Sequence, residues 1–276
     1  MRLSPLWIIL LFLPEVRTQE PPLPNAASKQ VPYVEHEDKE FNFYPGGKIE
    51  ILAGTPGSLT IVGWKKASIR MEAEKIVYYD TPENAKALLK KNPIRVKWNQ
   101  TSALIRTPDS AQPAALTEIN LTVYIPGDKT DVKALVSQGD FSIESVNGWI
   151  EVTVVDGSME ARSVSGYFSG QTQRGDLYVE MSGLRWRGLE FAAATKQGSV
   201  QLLLPEKYSA ALQLETREGE ISVDYPPQVV DGETVPPEII TNKGAQSLKA
   251  TVGDGGAPVK LATASGNISL LRKREE

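Results

Sequence analysis

The residues able to do chemistry in this chain are carboxylates at turn-like positions, one histidine, and a tryptophan between two arginines. Asp140 and Asp176 each directly follow a glycine, and Glu151 and Glu160 each stand three residues after one. Paired carboxylates are the groups of a glycoside hydrolase or a polysaccharide lyase. His36 is the sole imidazole and sits beside Glu37 and Asp38. A Ser-His-acid triad would have to recruit it, and no Gly-x-Ser-x-Gly elbow supplies the serine. Neither a Walker-type phosphate loop nor a dinucleotide fingerprint occurs. The remaining candidate is Arg185, Trp186 and Arg187, a platform for glycans or acidic polymers if the indole is exposed.

Whether these groups converge depends on the elements that carry them. Gly139, Gly148, Gly157, Gly166 and Gly175 recur nine residues apart. The second position after each holds Phe141, Ile150, Met159, Phe168 and Leu177, a candidate core ladder. The fourth holds Ile143, Val152, Ala161, Gly170 and Val179, and the third is polar or amphipathic. That alternation of period two marks half-buried strands, with the five glycines as structural turn residues. The same phrase opens at Gly47, Gly57, Gly198, Gly219 and Gly266.

Strand units at this spacing suit an all-β chain, either a parallel β-solenoid with about two strands per coil or an antiparallel β-sandwich. The longer intervals after Gly175 and Gly198 each hold a second alternating strand, which favours the solenoid. If alternate units stack, Glu151 and Glu160 fall on different sides, and Asp140 and Asp176 lie two coils apart, roughly 10 Å. That is the upper limit for an inverting glycosidase pair. Calcium-binding nonapeptide rolls need paired glycines and an aspartate in every turn, whereas Trp149, Ser158 and Tyr167 occupy the intervening places. The reading is of no catalytic residue, no metal and no cofactor.

Along the chain, Arg2 precedes an apolar run from Leu6 to Leu13, an export signal over 1–18 that is too short to span a bilayer. A Pro-rich, charged tether follows over 19–40. Next come an N-terminal β region over 41–126 and the Gly-phased repeat region over 127–271, with a Pro-rich loop at 225–240 and a charged tail at 272–276. One inserted helix is predicted over 82–91, with Thr81 as N-cap, Pro82 at its first position, Glu83 in its first turn and Lys90 and Lys91 in its last. With 30 Lys and Arg against 34 Asp and Glu, the chain has no basic footprint for nucleic acid. It has no cysteine, which excludes disulfides, thiolate metal sites and cysteine nucleophiles.

The phrases Gly47 to Ile51 and Gly57 to Trp64, the Gly-x-apolar-x-apolar repeats and the closing Ala264 to Leu270 resemble the bacterial putative-adhesin domain family of unknown function, over roughly Phe41 to Leu271. The resemblance implies a β-helix-like fold in an envelope or secreted protein, with no catalytic residues to carry over. The function expected is a non-enzymatic adhesin or structural scaffold, exported to the periplasm, the cell surface or the medium. Its partner would be an envelope protein or glycan, and open coil edges would allow self-association. A polysaccharide-binding or polysaccharide-cleaving protein and an envelope sensor acting through protein partners are the alternatives.

Overall fold

The computed structural model describes residues 32–109, 116–225, 228–230, 233–235 and 238–273. The predicted export signal, residues 19–31 of the tether, the loop prolines Pro226, Pro227, Pro236 and Pro237, and residues 274–276 of the tail lie outside the described residues.

The first part of the chain forms β1 (Pro32–Asn42), β2 (Lys48–Ala53), β3 (Leu59–Trp64), β4 (Ser68–Tyr78), helix α1 (Pro82–Lys91), β5 (Arg95–Trp98), β6 (Ser102–Arg106) and β7 (Leu116–Pro126). The repeats give β8 (Asp131–Gln138), β9 (Phe141–Glu144), β10 (Asn147–Asp156), β11 (Met159–Arg162), β12 (Ser165–Arg174), β13 (Leu177–Glu180), β14 (Gly188–Gln197) and β15 (Val200–Pro205). The last part gives β16 (Ala210–Glu218), β17 (Ile221–Asp224), β18 (Gln228–Val230), β19 (Glu233–Val235), β20 (Ile239–Asn242), β21 (Ala245–Val252), β22 (Pro258–Ser265) and β23 (Ile268–Lys273).

The described chain is all-β with one helix, and its strands build two mixed sheets and a separate β18-β19 pair. A ten-stranded sheet runs β1-β4-β7-β3-β9-β11-β13-β15-β23-β17, and an eleven-stranded sheet runs β20-β21-β16-β22-β14-β12-β10-β8-β2-β6-β5. From β8 to β17 odd and even strands fall in different sheets, so the chain crosses between them at each glycine phrase. Neighbours in the repeats pair in parallel, Phe141 with Met159 and Met159 with Leu177 in one sheet, Ile150 with Phe168 in the other, a step of 18 residues. These five side chains are at most 2% exposed. They face one interior from both sheets, where burying each large apolar side chain contributes about 2 kcal/mol.

The glycines that lead from the eleven-stranded to the ten-stranded sheet form a ladder. At Gly157, φ is +149° and a Cβ would meet the Gly139 carbonyl oxygen at 2.0 Å, so only glycine fits between stacked turns. The carbonyls of this ladder are closed from inside by threonines: Thr172, Thr195, Thr263 and Thr216 donate to the carbonyls of Gly157, Gly175, Gly198 and Gly266 at 2.8–3.0 Å. Gly170, the gap in the apolar fourth position, leaves room for its neighbours, because a Cβ there would lie 2.6 Å from the Met159 sulfur and 2.8 Å from the Phe168 ring. Phe168 in turn stacks on Phe191 with centroids 4.5 Å apart.

Among the described residues two buried polar groups have no partner, the Thr130 hydroxyl and the Trp186 indole N–H. Thr130 is fully buried and its hydroxyl makes no hydrogen bond. Thr130→Val keeps the shape and removes the orphan, so the urea midpoint is expected to rise by the equivalent of about 1 kcal/mol at unchanged slope.

The structure departs from the sequence reading in three places. The charged run from Glu35 to Glu40, expected to be tether, is strand β1, paired antiparallel along the whole of β4. Its charges are matched across the pair, inside at Lys75 and at the surface at Arg70: the buried Lys75 ammonium lies 3.0 Å from Glu35 and 2.6 Å from Glu37, and the exposed Arg70 lies 2.6 Å from Asp38. The loop expected at 225–240 contains the β18-β19 hairpin and the start of β20. Finally, layers do not stack in chain order. The β2-β3 layer sits between β8-β9 and β6-β7, and the β22-β23 layer sits between β14-β15 and β16-β17. The helix has its predicted bounds, with Thr81 accepting from the Asn84 N–H and Ala85 and Leu89 packed on Val77.

The Lys75 cluster makes the β1 pairing acid-sensitive. Burial alone would raise the Glu37 pKa, but hydrogen bonds and charges of Lys39 and Lys75 outweigh it and hold the carboxyl below its ordinary value of 4.5. A carboxyl lowered on folding adds stability that is complete above its unfolded value and is lost as pH falls through its folded value. The stability gap between the parent and Glu37→Gln is therefore expected to be widest near neutrality and to narrow as the pH falls through and below 4.5, read from urea midpoints at each pH.

Candidate functional site

The sequence candidates separate into groups with different surroundings. The acidic turns are structural. The Asp140 carboxylate accepts from the Ser158 N–H at 2.9 Å, the Ser158 hydroxyl accepts from the Asp176 N–H, and the Asp176 carboxylate accepts from the Ser199 N–H at 2.7 Å. Each turn side chain thus ties its layer to the next through an otherwise unpaired backbone donor. Glu151 lies on β10 and Glu160 on β11, in different sheets. Glu151 accepts from the Trp149 indole at 2.8 Å, and Glu160 pairs with Arg162. His36 is an exposed residue of β1 opposite Glu74. Among the described residues no group of three or more His, Asp or Glu could hold a metal ion.

Arg185, Trp186 and Arg187 do not form the open platform that exposure of the indole would give. Trp186 is 5% exposed and stands edge-on to Phe191, with centroids 5.4 Å apart and planes at 79°. The indole is captured because the insertion after β13 brings it over the end of the core, where an aromatic edge-to-face contact is available. Its N–H has no hydrogen-bond partner. Arg185 and Arg187 remain exposed on either side, and the backbone between them is pinned: Ser209 N–H donates to the Leu184 carbonyl at 2.8 Å and Gly166 N–H to the Arg187 carbonyl at 2.7 Å.

What the surface displays around this insertion comes from other residues. Trp149 and Tyr167 are register partners on β10 and β12 and stack with centroids 4.0 Å apart, Trp149 being 46% exposed. Their signal in the sequence was two aromatic residues 18 apart, each directly after a repeat glycine. Leu189 is the extra residue of a bulge where Tyr167 pairs with Glu190, and it is 70% exposed. The alternating run Leu189, Phe191, Ala193 sets Leu189 on the buried side with Phe191, and the bulge turns it outward instead.

Further across the outer face of the eleven-stranded sheet lies a shallow groove of about 360 Å³, floored by Ser169, Ala192 and Ala262 and edged by Gln213, Glu215 and Lys260. A second groove of about 420 Å³, which shares Glu215 and Ala262, reaches Arg217 and Asn242.

No protein-family model and no curated protein matches this chain. Solved structures do. A putative cell adhesion protein from Clostridium sporogenes matches with a TM-score of 0.45 at 12% identity, covering 87% of this chain and 100% of that one. A putative adhesin from Bacteroides fragilis matches with a TM-score of 0.29 at 12% identity, over 86% and 97% of the two chains. A putative adhesin from Parabacteroides merdae matches with a TM-score of 0.28 at 8% identity, over 86% and 96%. These structural neighbours are named as putative adhesins and a putative cell adhesion protein. Among the described residues no helix is long and apolar enough to cross a membrane.

Proposed function

We propose that this chain is an exported, non-enzymatic parallel β-solenoid with two strands per coil, an adhesin or scaffold that presents a long regular surface to an envelope protein or glycan. The observation that carries this reading is the outward column Glu50, Lys133, Glu151, Ser169, Ala192, Lys260, Gln213, Lys249, one residue from each of eight adjacent strands in register. Side chains at a fixed lateral interval, about 4.8 Å, suit repeated weak contacts whose sum is strong. The Asp140, Ser158 and Asp176 hydrogen bonds support the non-enzymatic part, since they engage the turn carboxylates that a glycosidase would need free.

The test is binding of the purified chain to immobilised envelope glycans and envelope proteins, with product analysis of the glycans. Saturable binding that Lys133→Glu with Lys260→Glu weakens, without cleavage, is the expected result. Release of defined oligosaccharides would overturn the non-enzymatic reading. The two adjoining grooves favour a polysaccharide as the ligand over a folded protein, and loss of binding in Ala192→Arg would support that choice.

A further inference from the structure

We propose that the edge of the eleven-stranded sheet at which β10, β12 and β14 begin is a docking surface for an anionic lipid bilayer. This inference does not rest on the adhesin reading. Trp149, Tyr167 and the bulged Leu189 lie side by side at the start of three adjacent strands. The insertion continues the same edge, Arg187 beside Gly166 and Arg185 bridged to Ser209 at the start of β16. Leu184, at 66%, and Leu189, at 70%, have the highest exposures of the large apolar side chains described. From β10 to β16 this ridge spans about 19 Å at the strand spacing.

Its composition suits a bilayer better than a groove-binding ligand. Exposed leucines projecting from a ridge gain by entering hydrocarbon, and tryptophan and tyrosine favour the headgroup level. Arg185 and Arg187 supply the charge complementary to lipid phosphate. Among the described residues neither is in an ion pair, as is also true of Arg95 and Arg217, whereas Arg70, Arg106, Arg162, Arg174 and Arg272 each meet a carboxylate. Of the acids on the neighbouring strands, Glu190 is paired with Lys260 at 2.9 Å, while Glu151 and Asp131 keep their charge and are turned to the Trp149 indole and, at 3.0 Å, to the Trp149 N–H. The buried Trp186 acts as a peg that holds Leu184 to Leu189 in place before contact, so little ordering is required on docking.

The test is co-sedimentation of the full chain with vesicles of phosphatidylcholine alone and of phosphatidylcholine mixed with phosphatidylglycerol. The apolar run near the N-terminus is common to every variant, so a difference between parent and variant belongs to the substituted residues. Arg185→Glu with Arg187→Glu, and separately Leu184→Asp with Leu189→Asp, are expected to lower the partition coefficient on mixed vesicles by about tenfold or more. Added salt is expected to weaken parent binding, and neutral vesicles to bind it less. All four side chains are exposed, and an unchanged thermal midpoint verifies that the variants are folded. Equal partition of parent and both double variants, or equal partition on neutral and mixed vesicles, overturns the proposal. So does loss of a protein partner in the double variants while vesicle binding persists.

Discussion

Deletion of residues 258–276 is expected to abolish cooperative folding of the segment from Ala210 to Val252, not merely to shorten the body by its last layer. In a stack ordered as the chain runs, the last layer has one neighbour and its loss leaves the others intact. Here β22 is bonded to β14 on one side and β16 on the other, and β23 to β15 and β17. Val259, Leu261, Ile268 and Leu270 are each at most 1% exposed. Burial of each contributes about 2 kcal/mol, and together they rival the whole stability of a domain, about 5–15 kcal/mol. The Tyr225 hydroxyl, which donates to the Pro205 carbonyl at 2.8 Å and lies 3.0 Å from that of Glu206, fixes the chain where it steps over the missing layer. Re-pairing of β14 with β16 would have to break that lock. Hydrogen exchange of the truncated chain checks this, with protection expected to vanish across β16, β17 and β21 and to persist in β8 to β12.

Gly157→Ala is expected to cost at least about 3 kcal/mol, and Gly46→Ala about 1 kcal/mol. The two glycines both have positive φ, +149° and +86°. They differ in what a Cβ would meet. At Gly46 nothing lies within 4 Å, so only backbone strain is added. At Gly157 the new atom would sit 2.0 Å from the Gly139 oxygen, and the backbone on both sides is bonded, Gly139 N–H to Asp156 and Gly157 N–H to Arg174. The layers would have to part, and with them the threonine bond to the Gly157 carbonyl. Urea denaturation of the two variants side by side separates strain from stacking.

Much of this arrangement was legible because the glycine ladder and the period-two alternation are constraints of backbone geometry, which leave few residue choices. Phe141, Met159 and Leu177 could be set in one column, and Asp140 and Asp176 two layers apart, from spacing alone. The strand β1 was not legible: Glu35, Glu37 and Lys39 look solvated until Lys75, far along the chain, is known to lie inside against them. Nor was the placement of β22 between β14 and β16. Val259 and Leu212 are interchangeable aliphatic neighbours for Phe191, so composition does not choose between them. At the candidate surface Arg185 and Arg187 are exposed, and Trp186 is buried against Phe191 through an edge contact that no local pattern reveals. Trp149 and Tyr167, read only as turn fillers, form a stacked pair beside the insertion, with Trp149 exposed and Tyr167 half-buried.

The layered order itself can be measured directly, since the chain lacks cysteine and two introduced thiols carry spin labels uniquely. Labels at Glu50→Cys with Lys260→Cys, and at Glu50→Cys with Gln213→Cys, probe one outward column across the stack. In-register layering with β22 inserted predicts backbone separations of about 24 Å and about 29 Å, the second pair being the longer. A shorter distance to position 213 than to position 260, or distances unrelated to strand count, would contradict it.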